Sequence, residues 1–335
     1  MTDIDGEDET VGVSEEVALA QAARTAGLAP SIHNTQPWHW RVDGSTLDLR
    51  AERSRQLAFT DPVGRMLVIS CGTALHHARL ALAAEGWAVT VSRLPEDNDQ
   101  DLLARLTVTG REAVTPAAMR LLQTARIRHT DRRPLSNTPV EPAVIDALRA
   151  TCHAEDTRMH VLRPDAIVEL AAAAARAQTL EELYPSWRDE LAYWAGGARD
   201  GGLGVHDEVI PRTEPATTVP ARDFGRSGDL AVGSGHDTAA VYAILYGDED
   251  SPTAWLRAGE ALSAVWLDAI EHDLAAVPLS AAVEVIGTRL ALRRMLAGVG
   301  EPFLVLRLGI ADPDHPGPSH TPRLPTDQVV EIVKH

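Results

Sequence analysis

The sequence predicts an α+β fold built from two pseudo-equivalent halves, each with a long helix beside a mostly antiparallel sheet. Long Ala-rich helical segments occur once in each half, at 63–85 and 253–274. These helices repeat weakly at an offset of 187 residues, which aligns Gly72-x-Ala74-Leu75 with Gly259-x-Ala261-Leu262, Leu80 with Leu267, and Ala88 with Ala275. Chance also produces such matches in Ala-rich helices, so the repeat favours a duplication without establishing one.

Composition limits the classes of function. The chain has 335 residues, 44% of them hydrophobic, which suits one large or two modest domains. Its formal net charge of −17 argues against generic binding to nucleic acid or to anionic membranes, because both need a basic surface. Cys71 and Cys152 lie in unrelated contexts and give neither a disulfide framework nor a metal-ligand spacing. We therefore expect a reducing, cytoplasmic location.

Targeting segments are not expected. No apolar run approaches the ~20 residues that span a bilayer. Residues 1–10 are acidic and polar, which is the opposite of a signal peptide. We expect residues 1–12 to form a disordered tail.

The first half, residues 13–125, is predicted to begin with a helix. Ser14 followed by two glutamates is typical of a helix N-terminus, because acidic groups favour the positive end of the dipole. Asp43-Gly44 between two strand-like segments predicts a hairpin turn. The predicted elements are a helix at 14–27, strands at 38–42 and 46–51, a helix at 63–85, strands at 88–93 and 102–109, and a helix from 116 to just before 128.

The second half, residues 126–335, is predicted to contain an inserted segment at about 179–228. This segment interrupts the regular elements with aromatic residues and many glycines. Loops of this length in a compact domain are usually lids, binding loops or disordered segments. The other predicted elements are helices at 142–150 and 164–178 around a strand at 158–163, a strand at 239–246, helices at 253–274 and 281–297, and a strand at 303–308.

A polar loop with two prolines and two tryptophans follows the first helix. Residues 29–40 read Ala-Pro-Ser-Ile-His-Asn-Thr-Gln-Pro-Trp-His-Trp. Each proline fixes its own φ and makes the preceding residue extended, which holds the Ser, Asn and Gln side chains beside aromatic groups. Such a loop suits a planar ligand with polar edges, for example a flavin. A loop that merely leads from a helix into a strand fits the same residues.

Two motifs in combination resemble the nitroreductase family. Its flavin-binding motif resembles Ala29-Pro30-Ser31-x-x-Asn34-x-Gln36-Pro37-Trp38, and its Arg-x-Ser-x-Arg/Lys signature is similar to Arg128-His129-Thr130-x-Arg132. The His-Asn-Thr-Gln-Pro-Trp string and the inserted segment resemble the Acg branch, which comprises actinobacterial FMN-binding proteins. The resemblance spans about residues 14–333. It implies a nitroreductase-like α+β fold with FMN as the cofactor.

The order of the motifs departs from that of ordinary nitroreductases. There the Arg motif comes first, and two chains pair to build two flavin sites. Here the Pro-Ser motif comes first and the Arg motif follows nearly a hundred residues later. We therefore expect two nitroreductase-like halves fused in one chain, each keeping one part of the site. One FMN per chain follows, in a monomer or a homodimer.

The Arg motif suits the FMN phosphate. Four arginines lie within eight residues of an otherwise acidic chain, namely Arg126, Arg128, Arg132 and Arg133. Arginine offers a planar fork to phosphate, and Thr130 adds a neutral donor. The resemblance also implies a role for Arg323, in a segment similar to the C-terminal Lys/Arg segment that closes on the phosphate. The alternatives are a solvated basic loop and an exposed arginine in a Pro-rich tail.

The ring side of the site is assigned by the resemblance alone. The residues Pro278, Leu279, Ser280 and Ala281 fall where the family has a turn whose backbone N–H meets the flavin N5. Many nitroreductases carry Glu-Gly at the last two of these positions. Ser280-Ala281 stand there in this chain, so the usual acidic side chain near the reactive ring is in doubt. A helix–helix turn without a ligand is the alternative.

Other catalytic motifs are absent from the sequence. Gly202-x-Gly204 lacks the third glycine of a dinucleotide fingerprint. His76 and His77 point to different faces of one helix, so we expect no metal site. No catalytic side chain is assigned, because in flavoenzymes the cofactor carries the redox chemistry and the protein supplies binding and access.

Two functions fit the same site and differ in access to it. A binding protein would hold and shield FMN, whereas an NAD(P)H-dependent reductase of nitroaromatics or quinones needs an open ring face. We expect Trp187 and Trp194 of the inserted segment to cover that face as a lid, and the Acg branch favours occlusion. FMN sequestration is therefore the first expectation and reductase activity the alternative.

Two further alternatives concern the inserted segment and the site. The segment could be a dimer-swapped arm or a helical hairpin away from the flavin. A flavin-free relative with a decayed site is the third functional class, and the intact motifs argue against it.

Overall fold

The computed structural model describes residues 14–196, 201–233, 235–312 and 317–334. The predicted tail at 1–12 lies outside these ranges. The first part of the chain forms α1 Glu15–Ala26, β1 Trp38–Asp43, β2 Thr46–Ala51, α2 Arg65–Ala84, β3 Trp87–Arg93, β4 Leu102–Arg111 and α3 Pro116–Ile127. The second part forms α4 Pro142–Ala154, β5 Arg158–Val161, α5 Pro164–Leu183, α6 Pro185–Trp194, β6 Val241–Gly247, α7 Pro252–Glu271, β7 Leu274–Leu279, α8 Ala281–Glu284, α9 Ile286–Met295, β8 Glu301–Ile310 and β9 Val330–Ile332.

Local sequence explains where several elements begin and turn. The Ser14 hydroxyl accepts a hydrogen bond from the Val17 N–H at 3.4 Å, which caps α1 as predicted. Thr115 and Ser251 cap α3 and α7 in the same way, each followed by a proline at the first helical position. Gly44 has a φ of 59°, and its turn closes the predicted hairpin of β1 and β2.

The two sheets repeat one strand order. The first sheet runs β3-β4-β2-β1-β9 and the second runs β7-β8-β6-β5. The four strands that correspond, β3-β4-β2-β1 and β7-β8-β6-β5, pair antiparallel, and β9 is an added parallel strand. The register also corresponds, since Ala88 lies opposite Gly110 and Ala275 lies opposite Gly309. The α+β class is confirmed, and the repeated order agrees with two pseudo-equivalent halves. The boundary between residues 125 and 126 stays a prediction.

The long helices α2 and α7 cross in direct backbone contact. A Cβ atom on Gly72 would collide with the Leu256 carbonyl oxygen, and one on Gly259 would collide with the Ile69 carbonyl oxygen. Both pairs of equivalent residues differ by the offset of 187. His76 Nδ1 and Ser263 Oγ, which are separated by the same offset, lie 2.9 Å apart. Such contacts are expected where an approximate two-fold axis passes through the crossing.

Two hydrophobic clusters flank this crossing. One packs the second sheet against α4, α5 and α7, and the other packs the first sheet against α1 and α2. The helix α2 serves both clusters, with Met66 and Ile69 in the first and Leu67 and Val68 in the second. The two sheets therefore share one helical layer.

The C-terminal part of the chain returns to the first sheet. The strand β9 pairs in parallel with β1, next to the loop that follows α1. The Leu324 N–H donates to Gln36 Oε1 at 2.9 Å. This path brings the tail that carries Arg323 to the loop at 29–37.

The second half differs from the prediction in three places. The predicted helix at 253–274 ends at Glu271, and β7 occupies the segment expected to be a turn. A short apolar run fits a buried helix and a buried strand equally well, so periodicity does not separate them. Because β7 is an edge strand, it accommodates Pro278. The predicted helix at 281–297 is divided into α8 and α9, and α5 and α6 extend ordered helix into the predicted insertion.

A membrane-spanning helix and a metal site each place requirements on the structure. The helix α2 is the one described helix that is long and apolar enough to cross a membrane, and 83% of its apolar window is buried inside the molecule. Such burial is typical of a core helix. Within the described ranges, no group of three or more His, Cys, Asp or Glu side chains could hold a metal ion.

Gly259→Ala should strongly destabilise the protein. The added methyl group meets the Ile69 carbonyl and lies 2.7 Å from the Gly72 Cα, and both are backbone atoms. The helices α2 and α7 would have to separate, so we expect a loss of about 3 kcal/mol or more in the free energy of unfolding. Urea denaturation followed by circular dichroism measures it.

Gly287→Ala in α9 is the matched control. No atom lies within 4 Å of a Cβ built there, so we expect no loss of stability. Equal stability of the two variants would show that the crossing tolerates a side chain and does not depend on close approach.

Candidate functional site

A cleft beside the crossing of α2 and α7 has two joined compartments. The apolar compartment is lined mainly by hydrophobic residues, among them Met66, Ile69, Leu262, Trp266 and Leu304. The basic compartment is lined by arginines and histidines, among them Arg126, Arg128, His129, His320 and Arg323. Their cavity volumes are about 160 and 310 Å³. Both are lined by Pro30, Ser31, His33, Thr130 and Arg132, so they form one cleft.

The structure brings nearly all of the predicted cofactor-binding residues to this cleft. Four of them line both compartments, namely Pro30, Ser31, Thr130 and Arg132. Four line only the apolar compartment, namely Pro278, Leu279, Ser280 and Ala281. Four line only the basic compartment, namely Asn34, Arg128, His129 and Arg323. Gln36 is the predicted residue outside both lining sets. The cofactor-binding roles of all these residues stay predictions.

The loop at 30–36 has a strained backbone. His33, Asn34 and Gln36 have φ values of 45°, 54° and 47°, in a region that non-glycine residues seldom adopt. The helix α2 holds this loop, because the Ile32 N–H donates to Ser70 Oγ at 3.0 Å and the Thr73 hydroxyl donates to the Pro30 carbonyl at 2.5 Å. Strain that the surroundings maintain in this way is typical of ligand-binding loops.

Asn34 and Gln36 tie this loop to two distant segments. Both side-chain amides donate to the Gly202 carbonyl oxygen at 2.9 Å. The Asn34 amide also donates to the Pro322 carbonyl oxygen at 3.1 Å, and Gln36 Oε1 accepts from Leu324. Gln36 thus lies behind the cleft wall, where it joins the inserted segment to the tail.

The basic compartment holds buried cations without acidic partners. Arg128, Arg132 and Arg323 make no ion pair with any carboxylate in the described part of the chain. Burial, and then the charge of the neighbouring Arg323, lowers the pKa of Arg128 to about 9. Burial likewise lowers the pKa of Arg132 and of Arg323 to about 10. Removing these charges from water is costly, and a bound anion would offset that cost.

Unpartnered donors point to the same anion. Arg128 Nε and Nη1 and Arg323 Nε are buried and have no hydrogen-bond partner among the described residues. The Arg128 guanidinium lies 4.5 Å from the centre of the Trp266 ring, which also lines the apolar compartment. The residues present therefore fit a phosphate group in the basic compartment, next to an apolar space.

The apolar compartment is closed on one side by the inserted segment. Residues 219–222 and Phe224 of that segment line it together with the end of β7. The Phe224 ring meets His33 edge to face at 6.2 Å, and the Arg132 guanidinium lies 5.3 Å from its centre. The inserted segment therefore contributes a wall of the cleft.

Arg222 anchors this wall. Its guanidinium lies 2.7 Å from the Glu284 carboxylate and 3.3 Å from the Glu181 carboxylate. Its Nη1 lies 3.2 Å from His33 Nε2. Burial, and then the charge of Arg222, lowers the pKa of His33 well below its usual range, so the neutral imidazole accepts this hydrogen bond.

The two tryptophans predicted to form the lid lie away from the cleft lining. Trp187 lies beside a separate depression, with its ring 5.8 Å from that of Tyr184. Trp194 is buried and meets Tyr193 edge to face at 5.3 Å. Both belong to α6, which begins at Pro185, so helical geometry and not a flexible loop directs them. Phe224 is an aromatic residue of the inserted segment that does line the cleft.

Sequence reasoning missed several lining residues, namely His33, Arg222, Trp266 and Arg307. No motif surrounds Arg222, and Trp266 is one apolar residue of a long core helix. Arg307 carries the clearest signal, because it is the charged residue in the otherwise apolar stretch 302–310 of strand β8.

Comparisons with known proteins give near-full-length relatives. No family model matches the chain. The Mycobacterium tuberculosis (strain H37Rv) protein "Putative NAD(P)H nitroreductase acg" is 32% identical over 316 residues, which cover 94% of this chain and 95% of the relative. A second protein of that strain, "Putative NAD(P)H nitroreductase Rv3131", is 38% identical over 323 residues, which cover 93% and 92%.

Solved structures show more distant likeness. The FMN and NADPH-dependent nitroreductase NfnB of a sphigopyxis strain is 17% identical with a TM-score of 0.40, over 64% of this chain and 99% of that chain. A BluB-like flavoprotein of Clostridium difficile 630 is 15% identical with a TM-score of 0.42, again over 64% and 99%.

Glu181→Gln should reduce the pH dependence of stability. Burial raises the pKa of Glu181 from 4.5 to about 7 in the folded protein. The folded state then binds this proton more tightly than the unfolded state, so stability falls as the pH rises from about 4.5 to 7. The contribution is at most about 3 kcal/mol. Chemical denaturation at pH 5 and pH 8 measures the slope.

Glu182→Gln provides the control, because Glu182 is the exposed neighbour with the same charge. It should keep the slope of the unaltered protein. If the stability of Glu181→Gln changes with pH as much as that of this control, Glu181 does not take up a proton beside Arg222 in the folded protein.

Proposed function

Because the chain belongs to the nitroreductase family and is of the Acg type, we propose that it binds one FMN in the cleft. The observation that carries this proposal is the group of buried arginines without acidic partners, Arg128, Arg132 and Arg323. They lie in a chain whose formal net charge is −17. A phosphate dianion supplies the charge and the acceptor atoms that these side chains lack.

The apolar compartment suits the flavin ring. It adjoins the arginines through Trp266 and the shared wall, so one ligand with an aromatic end and a phosphate end spans both compartments. The Ser31 hydroxyl accepts from the Gln36 N–H at 2.9 Å and keeps its own proton for a ligand. The Thr130 hydroxyl lines both compartments. Bound FMN supplies the redox chemistry, and these side chains bind and orient it.

The inserted segment supports retention of FMN as the first function. Its wall at 219–224 is fixed by the ion pairs of Arg222, and Asn34 and Gln36 bind its Gly202 turn. A segment held both at 219–224 and at Gly202 limits the access of a nicotinamide or substrate ring to the flavin. We therefore infer that the protein sequesters FMN, with residues 205–224 of the insertion acting as the cover.

A reductase is the second candidate function. Two near-full-length relatives carry the name "Putative NAD(P)H nitroreductase", which favours electron transfer from NAD(P)H. The two functions differ in one measurement: anaerobic addition of NADH or NADPH to the FMN-loaded protein. Rapid loss of the yellow colour supports the reductase, and persistence of the colour supports sequestration.

Arg128→Ala should weaken FMN binding by roughly 2–3 kcal/mol, because a charge-assisted contact is lost while the phosphate keeps its charge. Fluorescence titration of FMN measures the change. Arg120→Ala is the control, since Arg120 is an exposed arginine of α3 paired with Glu271 outside the cleft. Equal affinities of the two variants would remove Arg128 from the site.

Phe224→Ala should speed both FMN release and reduction by NAD(P)H. The nearly buried Phe224 ring forms part of the cleft wall beside His33 and Arg132. Its loss should increase the release rate about tenfold, which corresponds to about 1.4 kcal/mol. Stopped-flow fluorescence and anaerobic absorbance measure the two rates.

Phe59→Ala is the control for the cover. Phe59 is an exposed aromatic residue that lines a separate depression. If Phe224→Ala and Phe59→Ala release FMN and accept electrons at the same rates, the inserted segment does not restrict access to the flavin.

A further inference from the structure

Arg307 is a buried arginine with an unusual set of contacts. It belongs to the buried strand β8, is 2% exposed and lines the apolar compartment. Its Nη2 donates to the carbonyl oxygens of Asp131 at 3.2 Å and Arg133 at 2.8 Å. Its Nε is buried and has no partner among the described residues. An ionised group in such a core position is costly and needs a reason beyond packing.

Asp237 is the acidic partner of Arg307. Its Oδ2 lies 3.2 Å from Arg307 Nη1 and accepts a hydrogen bond from the Tyr242 hydroxyl at 3.0 Å. Its Oδ1 accepts from the Leu135 N–H at 2.7 Å. Asp237 is 1% exposed and has a φ of 60°. The carboxylate therefore joins three separate parts of the chain.

Tyr242 extends the chain of contacts to the inserted segment. Its hydroxyl oxygen accepts from the Val219 N–H at 3.2 Å. Thr218 also donates, through its hydroxyl, to the Asp237 carbonyl oxygen at 3.3 Å. The inserted segment lines the apolar compartment from Val219 onward. The cover is thus bonded to the same side chains that hold the loop at 131–135.

The position of Arg132 makes this connection important for the site. Arg307 binds the carbonyl groups of Asp131 and Arg133, the residues on either side of Arg132 in the sequence. Arg132 lines both compartments. Arg132 itself donates to the Val209 carbonyl oxygen at 3.1 Å. Its placement depends on the backbone at 131 and 133, which Arg307 fixes.

We propose that Arg307, Asp237 and Tyr242 form the positioning network of the cleft. Arg307 fixes the loop that carries Arg132 and adds a positive charge to the wall of the apolar compartment. Both the affinity for FMN and the reduction potential of the bound flavin depend on Arg307. This inference rests on the proposed binding of FMN, and none of the three residues belongs to either sequence motif.

The expected effect on potential follows from electrostatics. Reduction increases the negative charge of the flavin ring, and a cation in a wall of low dielectric stabilises the more negative form. Asp237 offsets part of this charge, so the effect is smaller than that of an isolated cation. A side chain that only stabilised the fold would not distinguish oxidised from reduced FMN.

Arg307→Lys and Arg307→Met separate the two roles. Lysine keeps the charge but cannot hold both carbonyl groups as a planar fork, whereas methionine loses both. Both variants should bind oxidised FMN about tenfold more weakly. Arg307→Met should also bind reduced FMN about tenfold more weakly than Arg307→Lys does. For a two-electron couple, that further loss of affinity lowers the reduction potential of the bound flavin by about 30 mV. Anaerobic titration and equilibration with a reference dye measure these values.

Tyr242→Phe tests the link to the cover with a smaller change. It removes the hydroxyl that joins Val219 to Asp237 and leaves Arg307 intact. We expect faster FMN release with an unchanged potential. This variant and Arg307→Lys decide the outcome if Arg307→Met does not fold, as judged by circular dichroism.

The results separate failure of the network from failure of the site. If the unaltered protein does not bind FMN, the proposed function is wrong, and the inference falls with it. If the unaltered protein binds FMN and Arg307→Met keeps both its affinity and its potential, the network is only part of the core. Equal shifts of potential in Arg307→Lys and Arg307→Met would also overturn the charge argument.

Discussion

The crossing of α2 and α7 is the constraint on which the rest of the structure depends. Only glycine at positions 72 and 259 lets the two backbones touch. Close approach places Met66 and Ile69 of α2 in one wall with Leu262 and Trp266 of α7. The end of α3 then packs on both helices through Ala125, between Leu80 and Leu267. Because Arg128 follows α3 directly, the packing of Ala125 also places the Arg128 guanidinium beside the Trp266 ring.

The approximate symmetry of the crossing is broken where a second cleft would lie. The offset of 187 relates Thr73 and Trp266, which line the apolar compartment, to Glu260 and Arg79. Glu260 is fully buried and binds Arg79 and Arg93, each at 2.7 Å. The equivalent positions therefore hold an ion-pair network inside the molecule. Both groups of arginines are partly withdrawn from water, but only those near Glu260 have a carboxylate of the protein as their counter-charge.

Much of this arrangement could be predicted from sequence, and the limits have physical causes. The Ser14 cap, the Asp43-Gly44 turn and the first-half strands follow from local preferences that tertiary contacts do not override. The motif residues that line the cleft could be predicted because they lie in contiguous segments with recognisable chemistry, whereas Gln36 of the same motif lies outside the lining. β7 was missed because a short apolar run has no diagnostic period. Arg222 and Arg307 were missed because their partners, such as Glu284 and Asp237, are distant in sequence, and only the fold brings them together.

The electrostatics of the whole chain favour retention of a bound anion over rapid exchange. A protein with a formal net charge of −17 repels FMN and nicotinamide nucleotides at long range, since all of them are anionic. Salt screens that repulsion beyond about 8–10 Å, but it does not screen the buried arginines to the same degree. An anion that reaches Arg128 and Arg323 removes the cost of their burial, and by linkage it also stabilises the fold. Slow entry and strong local binding are the two properties that the proposed sequestration of FMN requires.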